Sequence, residues 1–270
     1  MKIKHYLTTL KYLIKSFSKK PRLFRQILNT VPIISEAYQY SQAYKDSLPK
    51  NSLVKNDGEN PLWNYFQNHK EGHGIWKWEH YFDIYHKHLA KFVGKKVDIL
   101  EIGIYSGGSL EMWHSYFGKK CHIYGVDIED ACKEYENEYV SVYIGDQENK
   151  NFWSDFKSKV EGIDVLIDDG GHTSEQQQVT LEQMLQHIRP GGVYICEDIH
   201  GAFNKFSSYA AGLVNELNTM NNTQFQSAIH SIHFYPYMLV IEKHLVQPKK
   251  LNAPKHGTIW QPFFNNTLNQ

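Results

Sequence analysis

Cysteine is scarce. Cys121, Cys132 and Cys196 are the only three in 270 residues, none forms a Cys-x-x-Cys pair, and an odd thiol is left over. That excludes a secreted disulfide framework and a zinc-finger scaffold, so a reducing, cytoplasmic setting is expected. No internal repeat is present. Lys11 and Lys15 interrupt the first apolar stretch, which is too broken for a secretory leader and too short for a membrane span. Net charge is absent as well, with 29 basic against 29 acidic residues. The composition is 41% hydrophobic, 21% charged and 14% aromatic, close to the globular average, which argues against disordered, collagen-like or fibrous classes. A chain of 270 residues can bury a full core, as one large domain or one domain with an accessory segment.

The zero total hides an uneven distribution. Residues 1–55 carry eleven Lys/Arg against Glu36 and Asp46, a net of +9, and the other 215 residues carry −9. A basic arm on an acidic body suggests a separate partner for the arm. In residues 1–20, Ile3, Tyr6, Leu7, Leu10, Leu13, Ile14 and Phe17 fall at helical spacing with lysines opposite, and Pro21 ends the run. This amphipathic helix packs on the body or on a second copy in a homo-oligomer, or it lies on a membrane surface or glycolipid, peripheral to the cytoplasm. No nucleic-acid partner is expected for the acidic body.

The polar stretch from Pro49 to Pro61 reads as a linker. Trp78, Tyr81, Phe82, Tyr85, Leu89 and Phe92 predict a helix closed by Gly94, with the aromatic segment Trp76–Tyr85 as a lid. Beyond it, Val97–Ile102, His122–Asp127, Val140–Ile144, Ile163–Asp168 and Val193–Glu197 are short apolar runs separated by crossover-length segments. One of these segments is Ser174–Ile188, opened by a capping box at Thr173 and Gln176. The alternation predicts an α/β fold, a Rossmann-like doubly wound, mostly parallel sheet binding ligands at the carboxyl ends of its strands. Ile229–Tyr235 and Met238–Lys243 flank Pro236-Tyr237 as a terminal hairpin that adds an antiparallel strand. The organisation expected is an N-terminal helical arm and linker over 1–60, a seven-stranded domain over 61–245, and a tail over 246–270. In that tail, Trp260, Phe263 and Phe264 could anchor an interface.

The first strand runs into Glu101-Ile102-Gly103-Ile104-Tyr105-Ser106-Gly107-Gly108-Ser109 and then a helix start, where glycine admits a close ligand and free N–H groups meet an anion or carboxylate. Asp127 ends the second strand, placed to accept from ribose hydroxyls. Nicotinamide and S-adenosylmethionine sites share both features, although the acid at Glu101 suits a cationic ligand better than a pyrophosphate. Asp146 and Gln147 end the third strand and could address an adenine edge, or form only a solvated turn. Asp168 and Asp169 would repel one another without a cation or donor nearby. Asp169, Glu197 and Asp198 offer three carboxylates and no thiolate, a set for a hard divalent ion, Mg²⁺ before Zn²⁺. His172 stands a short turn from Asp169, close enough to serve as general base, unless it merely opens the next helix.

The runs ILEIGIYSGGSLEMW, YGVDIED, GDQ, IDDGGH and CEDIH resemble the class I S-adenosylmethionine-dependent methyltransferases. Within them the chain is most similar to the metal-dependent, mycinamicin-type sugar O-methyltransferases of macrolide biosynthesis, whose relatives are often labelled cephalosporin hydroxylase-like. The resemblance covers about residues 70–245, from KEGHGIWKWEHYFDIY to SIHFYPYMLVIEK. It implies that Glu101, Gly103, Tyr105, Ser109, Asp127, Asp146 and Gln147 hold S-adenosylmethionine, with Asp169 near the sulfonium. It further implies that Asp169, Glu197 and Asp198 ligate Mg²⁺ or another hard divalent cation, and that His172 is catalytic. The chain reads Ile199-His200-Gly201-Ala202-Phe203 where the macrolide enzymes carry a different segment, which leaves the acceptor open.

The expected reaction is transfer of a methyl group to a hydroxyl of a sugar or glycan acceptor, with His172 taking the proton. A catechol-type phenol is the alternative acceptor. A nicotinamide oxidoreductase would have no use for three clustered acids, and a binding module would tolerate their loss.

Overall fold

The computed structural model describes residues 20–44 and 60–258, together with Lys11, Ile14, Lys15, Phe17 and Ser18. The chain divides into two compact units, Met1–Gly58 and Glu59–Gln270. In the first, Lys11, Ile14, Lys15, Phe17 and Ser18 are helical and exposed, while the rest of the expected amphipathic helix, Lys20 aside, lies outside the described residues. Lys20, just before Pro21, is not helical, and Pro21 has a second role. It opens α1 (Pro21–Tyr44), a 24-residue helix, because proline's fixed φ suits the first helical position and its missing N–H is not needed there.

The second unit begins its regular structure at Asn60, inside the stretch read as linker. The Asn60 Oδ1 accepts from the backbone N–H groups of Leu62 (3.1 Å) and Trp63 (3.3 Å), capping α2 (Pro61–Asn68). The next helix, α3 (Tyr81–Leu89), starts later than the aromatic pattern suggested, so Trp76, Lys77 and Trp78 stand ahead of it on an irregular segment. The strands are β1 (Val97–Ile102), β2 (Cys121–Asp127), β3 (Val140–Ile144), β4 (Ile163–Asp168), β5 (Ile188–Cys196), β6 (Ile229–Tyr235) and β7 (Met238–Lys243). Between them lie α4 (Gly108–Phe117), α5 (Lys150–Lys159), α6 (Ser174–Met184), α7 (Lys205–Leu217) and the short α8 (Gln224–Ala228). The capping box at Thr173 and Gln176 is present at the start of α6.

Seven strands form one sheet in the order β3-β2-β1-β4-β5-β7-β6. Strands β1 to β5 pair in parallel, and β7 runs antiparallel to both β5 and β6. The doubly wound sheet expected from the alternation of elements is therefore what the chain adopts. The antiparallel strand is slotted between β5 and β6, not laid on the outer edge. A two-residue link makes this possible: Tyr235 pairs with Met238, and Tyr237 takes a φ of 62° to close the turn.

Period-2 alternation divides the strand side chains between two cores. Ile99, Val165, Val193 and Val240 pack with Leu62, Phe82 and Trp113 of α2, α3 and α4. Leu100, Leu166, Tyr194 and Ile241 pack with Trp153, Leu181 and Phe206 of α5, α6 and α7. Each such side chain contributes about 1.5–3 kcal/mol by leaving water. The strand order reverses between β1 and β4, which opens a crevice at their carboxyl ends.

Candidate active site

The same alternation sorts the acidic residues at that crevice. Glu101 pairs with Ile167 and Ile167 with Ile195. One step of two further along their own chains, Asp169 and Glu197 join Glu101 on the face covered by α4. Asp168 falls on the opposite face, buried beside Leu166 and Tyr194. There its carboxylate accepts from Gln147 Nε2 (3.0 Å) and from the Tyr194 hydroxyl (3.4 Å). The adjacent acids thus do not share a site. Burial pushes the Asp168 carboxyl up to about 7, against its hydrogen bonds.

A folded carboxyl with a raised pKa contributes stability below its unfolded value, about 4, and loses it as pH rises through 7. Asp168→Asn, which keeps an oxygen for Gln147 and cannot ionise, should gain in melting temperature relative to the parent between pH 5 and 8. Thermal denaturation across that range checks this, and parallel curves would remove Asp168 from the acid-sensitive set.

Three carboxylates on one buried face need a counter-charge, and Lys77 supplies it. Its ammonium lies 2.6 Å from Asp169 Oδ2, 3.1 and 3.3 Å from the two Glu197 oxygens and 3.8 Å from Glu101 Oε1. The Lys77 side chain is 3% exposed. Burial works against its charge, but attraction from Asp169, Glu197 and Glu101 outweighs that and holds its pKa above the ordinary lysine range. Burial also drives the Glu197 carboxyl upward, opposed by Lys77, and the Tyr85 hydroxyl donates to Glu197 Oε1 at 2.5 Å. Glu101 is raised by burial while Lys77, Trp113 and Ser109 oppose the rise, the last two donating to it at 3.0 and 2.8 Å.

Asp198 opens outward from this cage. Its backbone takes a φ of 54°, a left-handed conformation tolerated by aspartate at some cost and often found where a side chain must be aimed. Its Oδ1 accepts from Trp78 Nε1 and from the Tyr81 hydroxyl, both at 2.9 Å. His172 Nε2 lies 3.5 Å from Oδ2, and His200 Nε2 lies 3.7 Å from Oδ1. Asp169, His172 and Asp198 each offer one ligand atom within 4.8 Å of the others. Around them stand aromatic rings, with Trp78 5.3 Å and His200 4.9 Å from Tyr237, centroid to centroid.

The glycine loop follows Glu101 at the end of β1. A Cβ on Gly103, whose φ is 81°, would stand 2.1 Å from the Asp169 carbonyl, so glycine here lets β1 and β4 turn together. At Gly108 a Cβ would stand 2.3 Å from the His73 carbonyl and 2.5 Å from that of Gly74, so the segment carrying Lys77 crosses directly over the start of α4. Ser109 is buried and spent on Glu101, whereas Tyr105 is exposed. The Asp127 carboxylate accepts from the backbone of Tyr105 and Glu129, each at 3.0 Å, and remains half-buried at the rim.

Asp146 is exposed and caps its own turn through Glu148 N (2.8 Å). Gln147 departs from the expectation of an adenine contact. Its amide donates to Asp168 and Thr180 and accepts from Gly171 N at 2.5 Å, so the side chain is used up inside the fold. The structure thus brings Glu101, Asp169 and Glu197 around one ammonium, and His172 beside Asp198. It leaves Asp127, Tyr105 and Asp146 along the rim. Lys77 was missed from the sequence.

Residues 100–199 match a protein family described as a methyltransferase domain. Demethylmacrocin O-methyltransferase of Streptomyces fradiae is 33% identical over 126 residues, 44% of this chain and 31% of that protein. An 8-demethyl-8-alpha-L-rhamnosyl tetracenomycin-C 2'-O-methyltransferase of Streptomyces olivaceus is 28% identical over 200 residues, 63% of this chain and 52% of that one. The matches thus span about half, or less, of these relatives' lengths. Among solved structures, the MycE methyltransferase of the mycinamycin pathway, in complex with Mg, S-adenosylhomocysteine (SAH) and mycinamycin VI, superposes with a TM-score of 0.57. It shares 24% identity, over 68% of this chain and 53% of that one. At that identity the likeness bears on the fold alone. No helix among the described residues is long and apolar enough to cross a membrane.

Proposed function

We propose that residues 61–245 catalyse O-methylation of a sugar hydroxyl, with S-adenosylmethionine as donor and a hard divalent cation as helper. The observation that carries this reading is the meeting of Asp169, His172 and Asp198 within 4.8 Å, at the carboxyl ends of β4 and β5. The relatives named as O-methyltransferases of demethylmacrocin and of a rhamnosyl tetracenomycin-C support it.

The residues fit both groups. Two carboxylates at a half-exposed rim suit a hard divalent ion, with Asp169 and Asp198 as its holders. Glu197, engaged by Lys77 and Tyr85, would join them only where Lys77 withdraws. Asp127, fixed by two backbone N–H groups, keeps free lone pairs for the ribose diol of a nucleoside donor. The donor brings a methyl group on a positively charged sulfur, and the cation when bound lowers the pKa of a nearby hydroxyl.

The chain's own work is alignment and proton removal. His172 Nε2, 3.5 Å from the Asp198 carboxylate, takes the proton of the acceptor hydroxyl. The oxygen then bonds to the methyl carbon as the carbon–sulfur pair returns to sulfur. Trp78, Tyr237 and His200 offer flat faces against which the C–H face of a sugar packs, with Asp198 at the polar end.

Donor consumption across a panel of glycosides and catechols, with and without chelator, tests the reading. Turnover with vicinal-diol sugars that falls under chelation is expected. Consumption only with catechols would replace the sugar, and turnover indifferent to chelation would remove the cation.

A further inference from the structure

A second cluster of ligating side chains lies away from the crevice, where α3 covers the β6–β7 hairpin. Ser231, His233 and Tyr235 alternate along one face of β6, and Ser231 pairs opposite Glu242 of β7. α3 lays the buried His88 onto this face. We propose that His88, His233 and Glu242 form a binding site for a divalent transition metal of borderline softness, Zn²⁺ above all, which pins α3 to the hairpin. The proposal does not rest on the methyl-transfer reading.

The geometry is partly assembled. One ligand atom from each residue lies within 4.8 Å of the other two. His88 Nδ1 is 3.1 Å from Glu242 Oε1, and the two imidazole centroids are 4.7 Å apart. A tetrahedral zinc site needs ligand atoms about 3.4 Å apart. The half-buried His233 and Glu242 can close that difference by rotating their side chains.

The groups behind the ligands are also in place. His88 Nε2 is 2.9 Å from the Tyr235 hydroxyl, which leaves Nδ1 to face the site. The Ser231 hydroxyl lies 2.9 Å from His233 Nε2 and 3.4 Å from Glu242 Oε2. Such outer contacts fix the tautomer and orientation of metal-binding histidines.

The electrostatics favour a ligand set over a simple ion pair. Metal binds the neutral form of imidazole, and here two imidazoles and one carboxylate face one point. Burial raises Glu242, but His88 and Lys91 outweigh it and hold the carboxyl below its ordinary range. The basic side chains facing the cluster are Lys87, Lys91 and His230. Lys91 Nζ sits 3.4 Å from Glu242 Oε1 but its side chain is 42% exposed, free to swing into solvent when a cation enters. Two nitrogens and one oxygen discriminate against Mg²⁺, which asks for oxygen ligands.

The test uses the full chain freed of metal, titrated with Zn²⁺ in excess Mg²⁺ and, separately, with Co²⁺. Expected are one Zn²⁺ per chain and the intense visible bands of four-coordinate Co²⁺. His233→Ala and Glu242→Gln should each weaken Zn²⁺ binding by about 100-fold or more and abolish the Co²⁺ bands. Asp198→Asn, at the crevice, should change neither. Zn²⁺ binding that survives both hairpin variants, or disappears in Asp198→Asn, overturns the proposal, as does a wild-type chain that takes up no Zn²⁺. Circular dichroism of each variant shows whether it is folded, and two separate substitutions keep the test decisive if one of them is not.

Discussion

Turnover of the His172→Ala variant should fall about 10²–10⁴-fold, the range spanned by loss of a positioned general base. Donor affinity and divalent-cation affinity should both remain. The imidazole is well placed for this one task. It sits on the loop between β4 and α6, and its Nε2 is 3.5 Å from Asp198 Oδ2. Its side chain is 43% exposed. The loop is held closely: a Cβ on Gly171 would stand 2.1 Å from the Gln176 amide, which is itself committed to the capping box of α6. Steady-state kinetics at saturating donor, with calorimetric titration of donor and cation, separate the roles. A base loses turnover alone. A metal ligand loses cation affinity in parallel, and an unchanged turnover would give the proton to another group.

Lys77→Met should destabilise the folded chain by about 3–5 kcal/mol, the range for a buried ion pair deprived of one partner. Methionine fills similar volume, so the loss measures charge. Glu101, Asp169 and Glu197 would be left without the ammonium that now lies 2.6–3.8 Å from them. The deficit should depend on pH. Without Lys77, the upward pull of burial on Glu101 and Glu197 is unopposed by that charge. A raised folded pKa gives stability at low pH that is lost as pH rises, so the deficit should be smaller at pH 5 than at pH 8. Chemical denaturation at both values measures it, and added Mg²⁺ should restore part of the loss by entering the emptied cage. A deficit equal at both pH values would show that Lys77 acts through packing.

The strands were legible because each is a short apolar run between turn residues, and their alternation carries more than was taken from it. Val165 and Ile167 face α4 while Leu166 faces α6, so the period of two already separates Asp169 from Asp168. Repulsion between adjacent acids points to a nearby cation or donor whichever faces they take, and so hides that separation. The need for a cation beside clustered carboxylates was also visible in the sequence. What could not be seen was that the chain itself meets that need, because Lys77 lies on an irregular segment with no periodicity to aim it. Gln147 was misread for a related reason: a polar residue at a strand end looks the same whether it faces solvent or is buried against Asp168 and Thr180. The helix Pro21–Tyr44 was missed because proline stops one helix and starts another, and only the first role was considered.

Lys77 and Trp78 are neighbours in the chain, and Tyr81 follows three residues later. The first plugs the acid cage, while the other two hold Asp198 by hydrogen bonds of 2.9 Å. Lifting the plug therefore tugs on the clasp. The acid cage and the outward carboxylate are thereby tied to one short strap of backbone.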